Sequence, residues 1–259
     1  MGKIFAIANQ KGGVGKTTTA INLAACMAQL GKKVLIIDID PQGNATSGLG
    51  IDKRSLDLSV YNVLIHDAEA KDAVIKTNVK NLFIIPSSIE LAGAEIELVS
   101  LMAREKMLAV ALNEIKSEYD YIIIDAPPSL GLLTLNALAA ADKVIVPIQC
   151  EFYALEGLSQ LVKTINLVKQ HINTDLKIEG VVLTMFDSRT NLSIQVVDEV
   201  KRFFKTKVHT VIIPRNVRLG EAPSHGKPIT VYDSKCQGAE AYKDLALEII
   251  DWDGENYGE

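Results

Sequence analysis

The stretch Lys11-Gly12-Gly13-Val14-Gly15-Lys16-Thr17-Thr18 decides the fold. It follows an apolar run at residues 4–8 and precedes a helical pattern over residues 16–30, the strand, loop and helix order that a phosphate-binding loop requires. Closely spaced glycines let the backbone turn so that successive N–H groups face one anion, and the helix start adds about half a positive charge. Gly12, Gly13, Val14, Gly15 and Thr18 are therefore expected around a nucleotide's phosphates, with Lys16 on the β/γ-phosphates and the Thr17 hydroxyl on Mg²⁺. Glycine flexibility alone does not account for the Lys-Thr pair.

Working outward, runs rich in Ile and Val at residues 34–39, 82–85, 121–124, 144–148, 178–185 and 208–213 read as buried strands. Helical patterns lie between them at 92–116, 132–141, 155–171, 192–204 and 240–250, and Gly31 is placed to end the first helix. This alternation predicts an α/β fold of three layers, a P-loop NTPase with a mostly parallel central sheet covered by helices on both faces. No repeat or linker divides the chain, so residues 1–259 are expected to form one domain. The closing DWDGENYGE is acidic, lacks an apolar stripe and reads as a frayed end.

Two strands end in acids. Val34-Leu35-Ile36-Ile37-Asp38-Ile39-Asp40 places Asp38 and Asp40 on the same side of an extended chain at its C-terminal end, where open α/β sheets bind ligands. Tyr121-Ile122-Ile123-Ile124-Asp125 is an apolar strand ending in a carboxylate, and after a phosphate loop that pattern predicts Asp125 holding Mg²⁺ through water.

Composition narrows the class. With 48% hydrophobic residues the chain can bury a full core. No run of 18 apolar residues and no cleavable leader are present, which predicts a soluble, cytoplasmic protein. Cys26, Cys150 and Cys236 form no C-x-x-C pair, and the four histidines show no ligand spacing, so neither a cluster nor a zinc site is expected. The net charge is −5, yet residues 189–235 hold nine Lys or Arg against four Asp or Glu, or +5, leaving −10 for the rest. A basic surface near the C-terminus is the consequence.

The loop carries Gln10 where an ordinary Walker A motif has its first glycine, and a second lysine, Lys11. In this it resembles the deviant Walker A ATPases, among them ParA/Soj, MinD and the nitrogenase iron protein. The segments PSSIELAGAEIEL at 86–98 and PRNVRLGEAPSHGK at 214–227 narrow the resemblance to ParA/Soj proteins, over nearly the whole chain. The resemblance implies that Lys11 reaches the partner subunit's nucleotide in an ATP-dependent homodimer. It further implies that Asp40 orients the attacking water, that Asp38 supports the lysine and Mg²⁺ shell, and that Met185, Pro214 and Asn216 hold adenine. It implies nonspecific double-stranded DNA as a ligand, through Arg189 and Arg218. Lys201, Arg202, Lys205 and Lys227 are added from the local charge excess.

By that resemblance the chain is an ATPase, an ATP- and Mg²⁺-dependent dimerisation switch that binds nonspecific DNA and hydrolyses ATP with a ParB-like partner in chromosome or plasmid segregation. It would associate with the nucleoid, and regulation of replication initiation is a second role such proteins carry. Operator-reading relatives carry an N-terminal helix-turn-helix domain, and here the loop begins about ten residues from Met1, so none is expected. The alternative is a MinD-like ATPase positioning the division site at the membrane. That needs a basic amphipathic helix at the C-terminus, where this chain is acidic, so no stable membrane association is expected. A metallocluster carrier would need bridging cysteines.

Overall fold

Each apolar run becomes a strand because it is shielded on both faces. The computed structural model describes residues 2–151 and 158–255. Its strands are β1 (Lys3–Ile7), β2 (Val34–Asp38), β3 (Ile75–Lys76), β4 (Leu82–Ile85), β5 (Tyr121–Asp125), β6 (Lys143–Gln149), β7 (Lys177–Phe186) and β8 (Val208–Pro214). They form one sheet in the order β3-β4-β2-β5-β1-β6-β7-β8, parallel except for β3 against β4. The helices are α1 (Lys16–Gln29), α2 (Asn44–Gly48), α3 (Val60–Leu64), α4 (Leu91–Leu98), α5 (Met107–Asn113) and α6 (Leu132–Ala140), followed by α7 (Leu158–His171), α8 (Asn191–Phe204), α9 (Val217–Glu221), α10 (Ile229–Tyr232) and α11 (Gln237–Glu255).

Strand alternation splits the core in two. Ile4 and Ala6 of β1, Leu35 and Ile37 of β2, and Ile122 and Ile124 of β5 face one apolar cluster with residues of α3 to α8. Phe5, Ile7, Val34, Ile36, Tyr121 and Ile123 face the other, with α1 and α11. The three-layer expectation therefore holds, and the parallel strands are apolar throughout because both faces are covered. The central order β2-β5-β1 brings the loop after β1 and both acidic strand ends to one edge. No helix among the described residues is long and apolar enough to cross a membrane.

Two sequence expectations change, and a third is described only in part. The single helix expected at 92–116 is two helices, α4 and α5, separated where Ala103 takes a left-handed φ of 52°. Asn136 of α6 fixes the second start, accepting from Leu108 N at 3.1 Å and donating to Arg104 O at 2.8 Å. The helix expected at 155–171 is described from Leu158, and 155–157 lie outside the described residues.

The frayed end is instead helical through Glu255, with 256–259 outside the described residues. Trp252 stacks on buried His209 with ring centroids 4.5 Å apart, and Asp253, 4% exposed, pairs with Lys3 and, at 3.2 Å, with Lys143. An acidic tail without an apolar stripe folds here because its buried acid has cationic partners. Asp253→Ala should lower unfolding free energy by about 2–3 kcal/mol, followed by the fluorescence of the single tryptophan in urea, whereas Asp251→Ala, at an exposed position, should change it little.

Candidate active site

The loop after β1 is held before any ligand arrives. Asn9 Nδ2 donates to Pro147 O at 2.7 Å while its Oδ1 accepts from Lys11 N at 3.0 Å, and Thr184 Oγ1 donates to Val14 O at 2.9 Å. Gly13 and Gly15 take left-handed φ values of 75° and 87°, conformations that side chains resist, and Gly15 begins α1. Lys16 is 7% exposed, and its ammonium donates to Lys11 O at 3.0 Å, closing the loop on itself. Burial lowers the Lys16 pKa, and the charges of Asp125 and Asp40 oppose that shift. Lys11 is half-buried, with no side-chain hydrogen bond or ion pair among the described residues.

Asp38 and Asp125 are register partners on neighbouring strands, and both are fully buried. Asp38 accepts from Thr46 N at 2.8 Å, Thr46 Oγ1 at 2.7 Å and Asp40 N at 3.3 Å. Burial still pushes its pKa up to about 6, with the Thr46 and Asp40 bonds pulling the other way. Neither oxygen of Asp125 has a hydrogen-bond partner among the described residues. Burial raises its pKa well above 3.8, Asp38's charge adds to this, and Thr17 and Lys16 only partly offset it. A buried, unpartnered carboxylate beside a second one is the environment that an arriving cation relieves.

Asp40, 7% exposed, accepts from Gln42 N at 2.9 Å through Oδ1, and its Oδ2 has no hydrogen bond among the described residues. Sequence reading missed Thr46 and Ser87. Ser87 N donates to Thr46 Oγ1 at 2.9 Å and Ser87 Oγ donates to Asp40 O at 2.7 Å, which ties β4's end to both acids. Only the position of Ser87 inside the 86–98 segment hinted at this.

Gly15, Thr18, Met185, Pro214, Asn216 and Tyr242 line a cavity of about 480 Å³, within the size of small-ligand sites. The three residues expected at the base are thus brought together beside the phosphate loop. Met185 has a left-handed φ of 53°, and Asn216 Oδ1 accepts from Arg218 N at 2.9 Å, capping α9, with no hydrogen bond from its Nδ2 among the described residues.

The basic residues come from several elements, and two of them are already paired. Arg189 makes two bonds to Asp187, at 2.9 and 2.7 Å, drawing that carboxyl down to about 2. Arg218 pairs with Glu221 at 2.8 Å and Asp233 at 3.7 Å. Lys201, Arg202 and Lys205 are exposed at the far end of α8, a helix of 14 residues or about 21 Å, and exposed Lys227 follows α9. A charge count along the chain does not see the pairing.

No three His, Cys, Asp or Glu among the described residues converge as a metal cage. Cys26 and Cys150 are buried thiols whose pKa values are pushed up to about 12 by burial, which leaves them unreactive.

Sheet order, loop and buried acids define a P-loop nucleoside triphosphatase with a second loop lysine. A protein-family profile described as an AAA domain matches residues 2–178. The chain is 64% identical over 249 residues to the sporulation initiation inhibitor protein Soj of Bacillus subtilis, covering 96% of this chain and 98% of that protein. It is 56% identical over 250 residues to the chromosome partitioning protein ParA of Myxococcus xanthus, covering 96% and 88%. Its fold is similar to that of cobyrinic acid a,c-diamide synthase from Mycobacterium smegmatis, solved with bound ADP and magnesium, at a TM-score of 0.87 and 40% identity, covering 98% and 96%. The chain belongs to the ParA/Soj family of chromosome-partitioning ATPases.

Asp38 has a pH signature. Its folded pKa of about 6 lies above the ordinary 3.8, so between these values the native state keeps a proton that the unfolded chain releases. Its contribution is greatest below the lower value and is lost as pH rises through the upper one. Urea unfolding of the nucleotide-free protein should show the stability of wild type, relative to Asp38→Asn, falling as pH rises from 4 to 6.

Proposed function

We propose that the protein is an ATP-gated dimerisation switch on DNA. The observation that carries this reading is Asp125, whose two buried oxygens lack hydrogen-bond partners among the described residues at the edge where the phosphate loop emerges. The N–H groups of residues 12–15 and the Lys16 ammonium would bind the nucleotide phosphates, and Met185, Pro214 and Asn216 the adenine. Thr17 would hold Mg²⁺, with Asp38 and Asp125 acting on it through water. The ion supplies positive charge to the phosphate oxygens. Asp40, with one oxygen free, orients the water that attacks the γ-phosphorus.

Lys11, without a side-chain partner among the described residues, supplies its cation across a homodimer interface, so that charge stabilisation arrives only on assembly. The ATP-bound dimer binds nonspecific double-stranded DNA through Arg189 and Arg218, with Lys201, Arg202, Lys205 and Lys227 adding long-range attraction. Because both arginines already hold carboxylates, DNA phosphates must replace Asp187, Glu221 and Asp233. Phosphate contacts give affinity without sequence readout. Hydrolysis, stimulated by a ParB-like partner, releases the dimer from the nucleoid. The likeness to Soj of Bacillus subtilis and ParA of Myxococcus xanthus supports this reading.

Two outcomes follow. Asp40→Ala should abolish multiple-turnover phosphate release while the ATP-dependent dimer persists in size-exclusion chromatography, and normal turnover would refute the water-orienting role. Duplex DNA should bind with ATP and not with ADP. With about six phosphate contacts in the dimer its log–log salt slope is about −5.4, and binding should be lost in Arg218→Ala. Binding indifferent to nucleotide would refute the switch.

A further inference from the structure

Segment 86–98 has a part that the nucleotide site does not use. Its helix α4 buries Leu91, Ala94 and Leu98 against the core, yet its opposite side carries a second apolar stripe. Ile89, Ala92, Ile96 and Val99 recur at spacings of three and four, the seam spacing of a helix pair. Ile89 is 80% exposed, Ile96 78%, Val99 56% and nearby Met102 93%. Bonds from Leu91 N to Ser88 O and from Leu101 N to Leu98 O continue helical turns beyond both ends of α4. The stripe therefore lies along a preformed helical rod, and nothing among the described residues covers it.

Charge decides what covers it. Residues 89–105 hold four Glu and one Arg, and that Arg, Arg104, is engaged by Glu105 at 3.2 Å. Glu90 and Glu97 flank the stripe on one side and Glu95 on the other, at helical spacing. Tyr61 Oη holds Glu97 by donating to its two oxygens at 3.2 and 3.1 Å. Such a rim repels DNA, anionic lipid and a second copy of itself, and it attracts a cationic partner.

We propose that α4 with its flanking turns is the docking surface for an amphipathic helix of a partner protein, apolar on one face and lysine- or arginine-rich on its flanks. This rests on the partner-stimulated reading above and assigns the partner's place. The surface is joined to the hydrolytic edge in two ways. Glu95, whose Oε1 is buried without a hydrogen-bond partner among the described residues, abuts Gly131, which begins α6 at the end of the loop after Asp125. Ile89 and Glu90 also line a cavity of about 640 Å³ shared with Pro41 and Gln42, the residues that follow Asp40. A helix seated on α4 thereby bears on both acidic loops.

The test uses a labelled designed peptide of about 20 residues with a leucine stripe and lysine flanks, and its glutamate-flanked counterpart, measured by fluorescence anisotropy on the nucleotide-free full chain. Wild type should prefer the lysine peptide by about tenfold or more. Ile89→Ser/Ile96→Ser should weaken it by about tenfold, and Glu90→Lys/Glu97→Lys should turn the preference toward the glutamate peptide. These exposed substitutions should leave circular dichroism and nucleotide binding unchanged. Equal or absent binding of the two peptides to wild type, or unaltered binding by the variants, would overturn the proposal. So would loss of ATP-dependent dimerisation in Ile89→Ser/Ile96→Ser, which would give the stripe to a second copy. Because the assay contains neither ATP nor DNA, its failure leaves the DNA switch standing, and failure of nucleotide-gated DNA binding leaves the peptide result standing.

Discussion

Two carboxylates stand side by side on adjacent strands, sealed from water, and only one of them is satisfied by the protein. Asp38 is served by Thr46 and Asp40, whereas Asp125 makes no hydrogen bond of ordinary geometry among the described residues and has only the nearby Thr17 hydroxyl and Lys16 ammonium to favour its charge. Like charges on neighbouring strands in a desolvated edge resist joint ionisation. The folded chain thus carries an electrostatic deficit at the point where its phosphate loop emerges, and a bound cation is what removes it. Lys16 does not remove it alone, since burial disfavours its own charge.

That deficit explains the surroundings. The loop is braced at both ends by Asn9 and Thr184, so Gly13 and Gly15 keep their conformations before a nucleotide binds. Thr46 and Ser87 link the acid on β2 to the end of β4, next to the turn that leads to α4. Glu95 of α4 lies against the loop that follows Asp125. The acidic strand ends and the helix that packs beside them are thus joined by hydrogen bonds and close contacts.

What could be read in advance was chemistry confined to short stretches. The loop at 11–18, the acids ending β2 and β5, and the alternation of buried strands follow from local residue types. Met185, Pro214 and Asn216, carried over by resemblance, do meet beside the loop. What escaped depends on contacts between distant stretches. Thr46 looks like any helix residue until Ser87 and Asp38 are placed on either side of it. The break between α4 and α5 rests on Asn136, some thirty residues away in sequence. The acidic end of α11 reads as solvated until Lys3 and Lys143 are brought under it. Arg189 counts as one positive charge in a tally, yet in the fold it is already engaged with Asp187.

The central claim is that Asp125 costs stability in the empty protein and repays it through the metal–nucleotide complex. Thermal unfolding of wild type and Asp125→Asn, each without ligand and with saturating ATP and Mg²⁺, tests it directly. The variant should be at least as stable as wild type when empty, by about 1 kcal/mol, and should lose most of the stabilisation that the ligands confer on wild type. An empty variant that unfolds earlier than wild type and yet is stabilised by ATP and Mg²⁺ to the same extent would contradict it.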